Sequence, residues 1–116
     1  ESYAAGELKH GTISLIDEDV PVIAVATQTD IIPKTISNVV EVKSRGAKVI
    51  LVCTDACARE LKDGVADYVI EIPHTDELLM PITAVVPLQI LAYYTSINRG
   101  IDPDKPKNLA KSVTVE

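Results

Sequence analysis

Pro21-Val22-Ile23-Ala24-Val25-Ala26 is an unbroken run of small and β-branched apolar residues with no polar alternation. A run of this kind is typical of a strand in a parallel sheet, where both faces of the strand are covered. Lys48-Val49-Ile50-Leu51-Val52-Cys53 repeats the pattern as a second buried strand, and Tyr68-Val69-Ile70-Glu71-Ile72 is predicted to be a third, shorter strand. We therefore predict three strands in one parallel sheet.

Helical patterns separate these strands. An apolar stripe at helical spacing ends at Gly46 and consists of Ile31, Ile32, Ile36, Val39 and Val40. Thr29 or Asp30 is the candidate N-cap of this helix. A shorter helix is predicted from Asp55 to Lys62, closed by Gly64. Because strands and helices alternate, the sequence predicts βαβ crossovers and an α/β fold with helices on the faces of a parallel sheet.

Two further helices are predicted outside this alternation. Ser2 is a fair N-cap and Gly11 a possible helix end, so the first helix should run from Ser2 to His10. A long helix is expected from about Leu78 to Arg99, started or kinked by its prolines. This long helix is apolar nearly all round, so we expect it to be buried or to form part of an interface.

Composition excludes several classes of function. With 116 residues and a net charge of -6, the chain is large enough for one small domain and has no basic cluster for nucleic acid. It has no Gly-rich phosphate loop, and no uninterrupted apolar run long enough to span a membrane. Cys53 and Cys57 are too few for a disulfide scaffold, which favours a reducing cytoplasm. They are expected to be small buried apolar residues, and His74 would not complete a metal site with them.

Two side chains are candidates for catalysis, and each has an ordinary alternative. His10 follows Glu7-Leu8-Lys9, and an imidazole suits proton transfer near neutral pH. The same pattern is also that of a solvated helix face. Lys111 lies in the C-terminal tail, where a lysine held near a carbonyl substrate could form a Schiff base or could simply be exposed. The residues alone leave both alternatives open.

The tail Asn108-Leu109-Ala110-Lys111-Ser112-Val113-Thr114-Val115-Glu116 resembles the C-terminus of the glucosamine-6-phosphate synthase family, the glutamine:fructose-6-phosphate aminotransferases. Gly6-Glu7-Leu8-Lys9-His10-Gly11 resembles a segment of the SIS (sugar isomerase) domain of that family. Pro73-His74, Val86–Tyr93 and Gly100–Asp102 also agree. The resemblance covers the whole chain and implies a SIS-type three-layer α/β/α fold. Residues 1–116 would be the C-terminal portion of the second SIS domain, with 101–116 as an extended tail.

The resemblance also implies roles for individual residues. The histidine that matches His10 helps to open the fructose-6-phosphate ring and works in the active site of the partner subunit of a homodimer. The lysine that matches Lys111 forms a Schiff base with the open-chain ketose, and the backbone around Ala110 lies close to the sugar. No cofactor and no metal are implied. Thr12 and Lys107 depart mildly from the family pattern and leave His10 and Lys111 unchanged.

The resemblance further implies an upstream glutaminase domain and a first SIS domain. The glutaminase cysteine, the sugar-phosphate loop and the general-base glutamate of the family are not in this chain, so we expect the chain to be a piece of a longer enzyme, inactive alone. Two alternatives stay open, namely another SIS sugar-phosphate isomerase or deglycase, and a non-catalytic SIS module that senses a sugar phosphate. The tail argues against the first, and the acidic charge gives no sign of the DNA-binding domain usual in the second.

Overall fold

The computed structural model describes residues 1–105, and its elements follow the predicted alternation. In chain order these are β1 (Pro21–Ala26), α1 (Ile32–Ser44), β2 (Lys48–Thr54), α2 (Asp55–Glu60), β3 (Tyr68–Ile72) and α3 (Met80–Asn98). Single 3-10 turns lie at Glu7–His10, Thr12–Leu15 and Thr29–Ile31. The three strands lie where the apolar runs predict them.

The strands form one parallel sheet in the order β1-β2-β3. In its register Val22 lies beside Val49 and Val52 beside Ile70. The central strand β2 is buried on both faces, since neither Leu51 nor Val52 exposes any of its surface. The predicted α/β class with a parallel sheet is confirmed.

The main core lies against one face of this sheet. Residues of β2, α1, α2 and the N-terminal turns form a single buried cluster, which includes Ile13, Val39, Val42, Val49, Leu51, Cys53 and Cys57. Alternate residues of a strand point to the same face, so the β2 members of the cluster mark one face of the sheet. Both connecting helices therefore cover the same face.

The prediction that β1 is buried on both faces is wrong. Ile23 and Val25 of β1 are 45% and 41% exposed, and Tyr68 of β3 is exposed as well. Both strands lie at an edge of the described sheet, and in β1 the helices α1 and α2 cover only the face opposite to Ile23 and Val25. These side chains are apolar and favour burial, but no part of the described chain covers them.

The predicted helix from Ser2 to His10 is also wrong. Only Glu7–His10 is helical, as one 3-10 turn with Gly6 at its start and no side-chain cap. We call this segment the His10 turn. An isolated short helix is unstable because nucleation costs more than a few hydrogen bonds return. Leu8 packs partly against the core cluster, and Gly11, at φ 137°, begins the next turn.

Two helix boundaries differ from prediction. The main helix α1 begins at Ile32 rather than after Thr29 or Asp30, because residues 29–31 form a separate 3-10 turn. Its N-cap residue, Ile31, makes no side-chain cap hydrogen bond. The short helix α2 ends at Glu60 instead of Lys62, since Leu61 adopts an extended conformation.

The chain divides into two compact units, residues 1–84 and residues from Val85 onward, and the boundary falls within α3. In the first unit, Met80 and Ala84 of this helix are buried. In the second, most large apolar side chains of the helix are at least 41% exposed: Val85, Val86, Ile90, Tyr93, Tyr94 and Ile97. Burial of the whole helix within the described chain is therefore wrong, and its role in an interface stays a prediction.

The helix α3 is also long and apolar enough to cross a membrane by length and composition, with a mean hydropathy of 1.3. The prediction that no apolar run is long enough to span a membrane is therefore wrong by length and composition. Pro87 lies inside the helix and does not end it. Length and composition alone are weak evidence for a membrane span, since core helices of other proteins share them.

Candidate functional site

His10 is the last residue of the His10 turn, and its side chain is exposed. Contacts of the residues next to His10 connect the turn to the rest of the first unit. Lys9 Nζ lies 2.8 Å from a carboxylate oxygen of Glu41 in α1. Thr12 Oγ1 donates a hydrogen bond of 3.3 Å to the carbonyl oxygen of Leu8. These contacts hold the backbone near His10, whereas the side chain of His10 is exposed.

The other two predicted site residues, Ala110 and Lys111, lie outside the described residues. The Schiff-base role of Lys111 and the place of Ala110 near the sugar therefore stay predictions.

A cavity of about 460 Å³ lies between the N-terminal segment, β1 and α1. Its wall is mainly apolar and includes Tyr3, Leu8, Val22, Ala24 and Val39. His10 does not line it. The cavity runs along the edge of β1 that pairs with no strand among the described residues.

A second, open depression of about 640 Å³ lies near the carboxyl end of β1. Its wall is mainly apolar, and its polar groups come from Lys9, Gln28, Lys34, Thr35, Ser37 and Asn38. Ligands of parallel α/β sheets commonly bind at the carboxyl ends of the strands, so the depression lies where such folds hold their ligands. His10 does not line this depression either.

The two cysteines fit the prediction that they are small buried residues. Both are buried and free. Burial, together with the smaller effects of the nearby Cys57 and Glu71, raises the pKa of the Cys53 thiol to about 12. A thiol with so high a pKa is protonated at neutral pH and is a poor nucleophile.

The carboxyl end of β3 leads to a turn without a defined chemical site. Asp76 accepts a hydrogen bond of 2.9 Å from the amide of Leu78 and so helps to shape the approach to α3. His74 is exposed. Within residues 1–105, no cluster of three or more His, Cys, Asp or Glu side chains could hold a metal ion.

Asp67 is the best-connected charged residue of the first unit, and the sequence analysis did not identify it. Its carboxylate lies 2.5 Å from Lys43 Nζ, accepts a hydrogen bond of 2.7 Å from the amide of Val49, and lies 3.5 Å from Lys48 Nζ. The hydrogen bond from Lys43, followed by that from Val49, lowers the pKa of Asp67 to about 2. It precedes β3, at the opposite end of the strand from the carboxyl edge, so its role is structural.

Comparison with known proteins gives a consistent result. The SIS domain family model matches residues 1–99. The chain is 52% identical over 116 residues to the glutamine–fructose-6-phosphate aminotransferase (isomerizing) of Clostridium acetobutylicum, a match that covers all of this chain and 19% of that protein. The enzyme of the same name from Lactiplantibacillus plantarum is 56% identical over 116 residues, which is 18% of its length.

A solved structure agrees with these sequence matches. The C-terminal domain of glucosamine-fructose-6-phosphate aminotransferase from Francisella tularensis matches with a TM-score of 0.80 and 35% identity, over 86% of this chain and 28% of that chain. The predicted SIS-type fold class is thereby confirmed. The chain spans about a fifth of the length of the curated relatives that it matches.

Proposed function

The chain belongs to the SIS domain family, and on that premise we propose that it forms part of the isomerase domain of a glutamine:fructose-6-phosphate aminotransferase. Such an enzyme makes glucosamine-6-phosphate from fructose-6-phosphate and glutamine. The observation that carries the proposal is identity of 52% to 56% along all 116 residues with aminotransferases of that name. The other SIS activities have no comparable support in this chain.

In this proposal His10 helps to open the sugar ring. A cyclic ketose must lose a proton from its anomeric hydroxyl and gain one on the ring oxygen, and an imidazole can do both near neutral pH. The exposed position of His10 on a tethered turn supports this role, because a group that serves a substrate must be accessible. We further propose that its substrate is held in the active site of the partner subunit of a homodimer.

Lys111 is proposed to form a Schiff base with the open-chain ketose, with the backbone near Ala110 close to the sugar. The ε-amine adds to the ketone carbon and water leaves, and the resulting imine makes the C1 protons easier to remove. Ammonia for the amination would come from an upstream glutaminase domain, and the phosphate loop and general base from the remainder of the SIS domains. The proposal requires neither metal nor cofactor, and it places the protein in the cytoplasm, away from nucleic acid and membranes.

Borohydride trapping tests the proposal. Full-length protein is incubated with fructose-6-phosphate, reduced with borohydride and analysed by peptide mass spectrometry. We expect a sugar-phosphate adduct on the peptide that contains Lys111, and no adduct in Lys111→Arg, because a guanidinium does not form an imine under these conditions. The neighbouring Lys107→Arg is the control and should retain the adduct. An adduct that persists in Lys111→Arg would reject the role of this lysine.

A further inference from the structure

The backbone that carries His10 has little structure of its own. The His10 turn is a single 3-10 turn with no buried residue and no side-chain N-cap. Short 3-10 segments have poorer hydrogen-bond geometry than an α-helix and do not hold one conformation alone. The direction of the imidazole must therefore depend on contacts between the turn and neighbouring elements.

Two contacts supply that connection. Leu8 packs partly against the core cluster and fixes the start of the turn. The residue directly before His10, Lys9, forms an ion pair of 2.8 Å with Glu41. Glu41 is part of α1, a 13-residue helix whose residues Val39 and Val42 are almost fully buried. The ion pair thus joins the turn to a rigid element.

We propose that the ion pair between Lys9 and Glu41 is a positioning element that sets the direction of His10 for its proposed role in ring opening. The inference rests on the proposed function of His10 and goes beyond it, because it assigns a positioning role to Lys9 and Glu41, to which the proposed function gives none. Lys9 also lines the open depression near the carboxyl end of β1, so the pair lies at the border of that depression.

The exposure of this ion pair indicates that it positions His10 and contributes little to the stability of the fold. The side chains of Lys9 and Glu41 are 46% and 38% exposed, and exposed ion pairs contribute little to the stability of a fold. A proton-transfer group, however, must lie within hydrogen-bond reach of the proton that it moves, and a small misplacement lowers the rate. Loss of the pair through Glu41, which lines neither cavity, should therefore lower kcat while leaving substrate affinity and the fold unchanged.

The test measures kcat and KM for glucosamine-6-phosphate formation in the full-length protein. Glu41→Gln is expected to lower kcat by about two- to fivefold, the range spanned by exposed ion pairs, with KM unchanged, and Lys9→Met is expected to lower kcat by a similar factor. The charge-swapped variant, Lys9→Glu with Glu41→Lys, should recover most of the lost rate. Lys62→Met is the matched control, because Lys62 is exposed and forms no ion pair within the described part of the chain.

Measurement of kcat for Lys9→Met in the His10→Ala variant distinguishes the possible outcomes. If Lys9 acts through His10, Lys9→Met should have no further effect on kcat in His10→Ala. An equal loss in both backgrounds, or no recovery by the charge swap, would overturn the positioning role and leave the proposed function intact. A His10→Ala enzyme with full kcat would instead reject the role of His10 itself, and the positioning role with it.

Discussion

At the scale of single residues, Asp67 shows how one carboxylate can join three segments. It lies just before β3, and its partners are the end of α1 and the start of β2. The side chain is 17% exposed, so its partners replace most of the water that would otherwise solvate the charge. A charge in such surroundings is stable only while it remains paired.

The lowered pKa of Asp67 predicts a dependence of stability on acid. The pKa is about 2 in the folded chain, against an ordinary value of 3.8. Folding therefore favours the carboxylate, and the stability that it contributes is complete above about pH 4 and is lost as the pH falls from about 4 to 2. Asp67→Asn should be less stable at pH 7 and should lose less stability over that acid range, as measured by urea unfolding.

Asp63→Asn is the control for this prediction, because Asp63 is exposed and forms no ion pair with a residue of the described range. Its stability should follow that of the unchanged chain at every pH. Equal pH dependence in Asp67→Asn and the unchanged chain would show that Asp67 does not titrate as its contacts indicate.

At the scale of elements, the stability of α2 depends on its N-cap, the residue that precedes the helix. It has only six residues, too few to be stable as an isolated helix. Thr54, the last residue of β2, is its N-cap, and Thr54 Oγ1 accepts a hydrogen bond of 3.4 Å from the amide of Cys57. Cys57 is buried in the core cluster, so the cap also fixes a core residue.

We predict that Thr54→Val loosens the start of α2. Valine keeps the shape of this nearly buried side chain and removes the acceptor, which should cost about 0.5–2 kcal/mol. The sensitive measurement is hydrogen exchange at the Cys57 amide, which should accelerate in Thr54→Val. Thr54→Ser keeps the hydroxyl and should retain the protection of that amide. Unchanged exchange in Thr54→Val would mean that the cap does not hold the helix.

At the scale of the whole molecule, each of the two units leaves large apolar side chains exposed. Ile23, Val25 and Tyr68 are exposed on the sheet, and Ile90 and Tyr94 on α3. Parallel sheets are normally covered on both faces, and contiguous exposed apolar patches mark interaction surfaces. The relatives are about five times longer than this chain, so further protein is available to cover such surfaces in them.

We therefore predict that the isolated 116-residue chain associates with itself and binds a hydrophobic dye. Ile23→Thr with Val25→Thr should reduce both effects, because it removes apolar surface from the exposed face of β1 and keeps β-branched side chains. Analytical ultracentrifugation and dye fluorescence are the measurements. The exposed pair Ser14→Thr and Ser44→Thr is the control and should change neither. A monomer that binds no dye would contradict the prediction.

Local patterns identified the α/β class and the positions of all three strands. The segments at residues 21–26, 48–53 and 68–72 are rich in residues that favour strands, and such a preference is a property of the segment itself. The identification of the family also came from sequence, because the N-terminal and tail segments resemble that family and the comparisons agree along the whole chain. The roles of His10, Ala110 and Lys111 were inferred in the same way and stay predictions.

Features that depend on contacts between distant segments could not be predicted from local patterns. The first helix is only a turn because Leu8 alone reaches the core, and β1 is exposed on one face because both connecting helices cover the other. Asp67 meets Lys43 across 24 positions of sequence, and Lys9 meets Glu41 from a position 32 residues earlier. Sequence alone determined the three strands, the helices between them and the family, since these depend on residue type and order. Only the tertiary structure decided which charges pair and which faces are covered, because those contacts join distant segments.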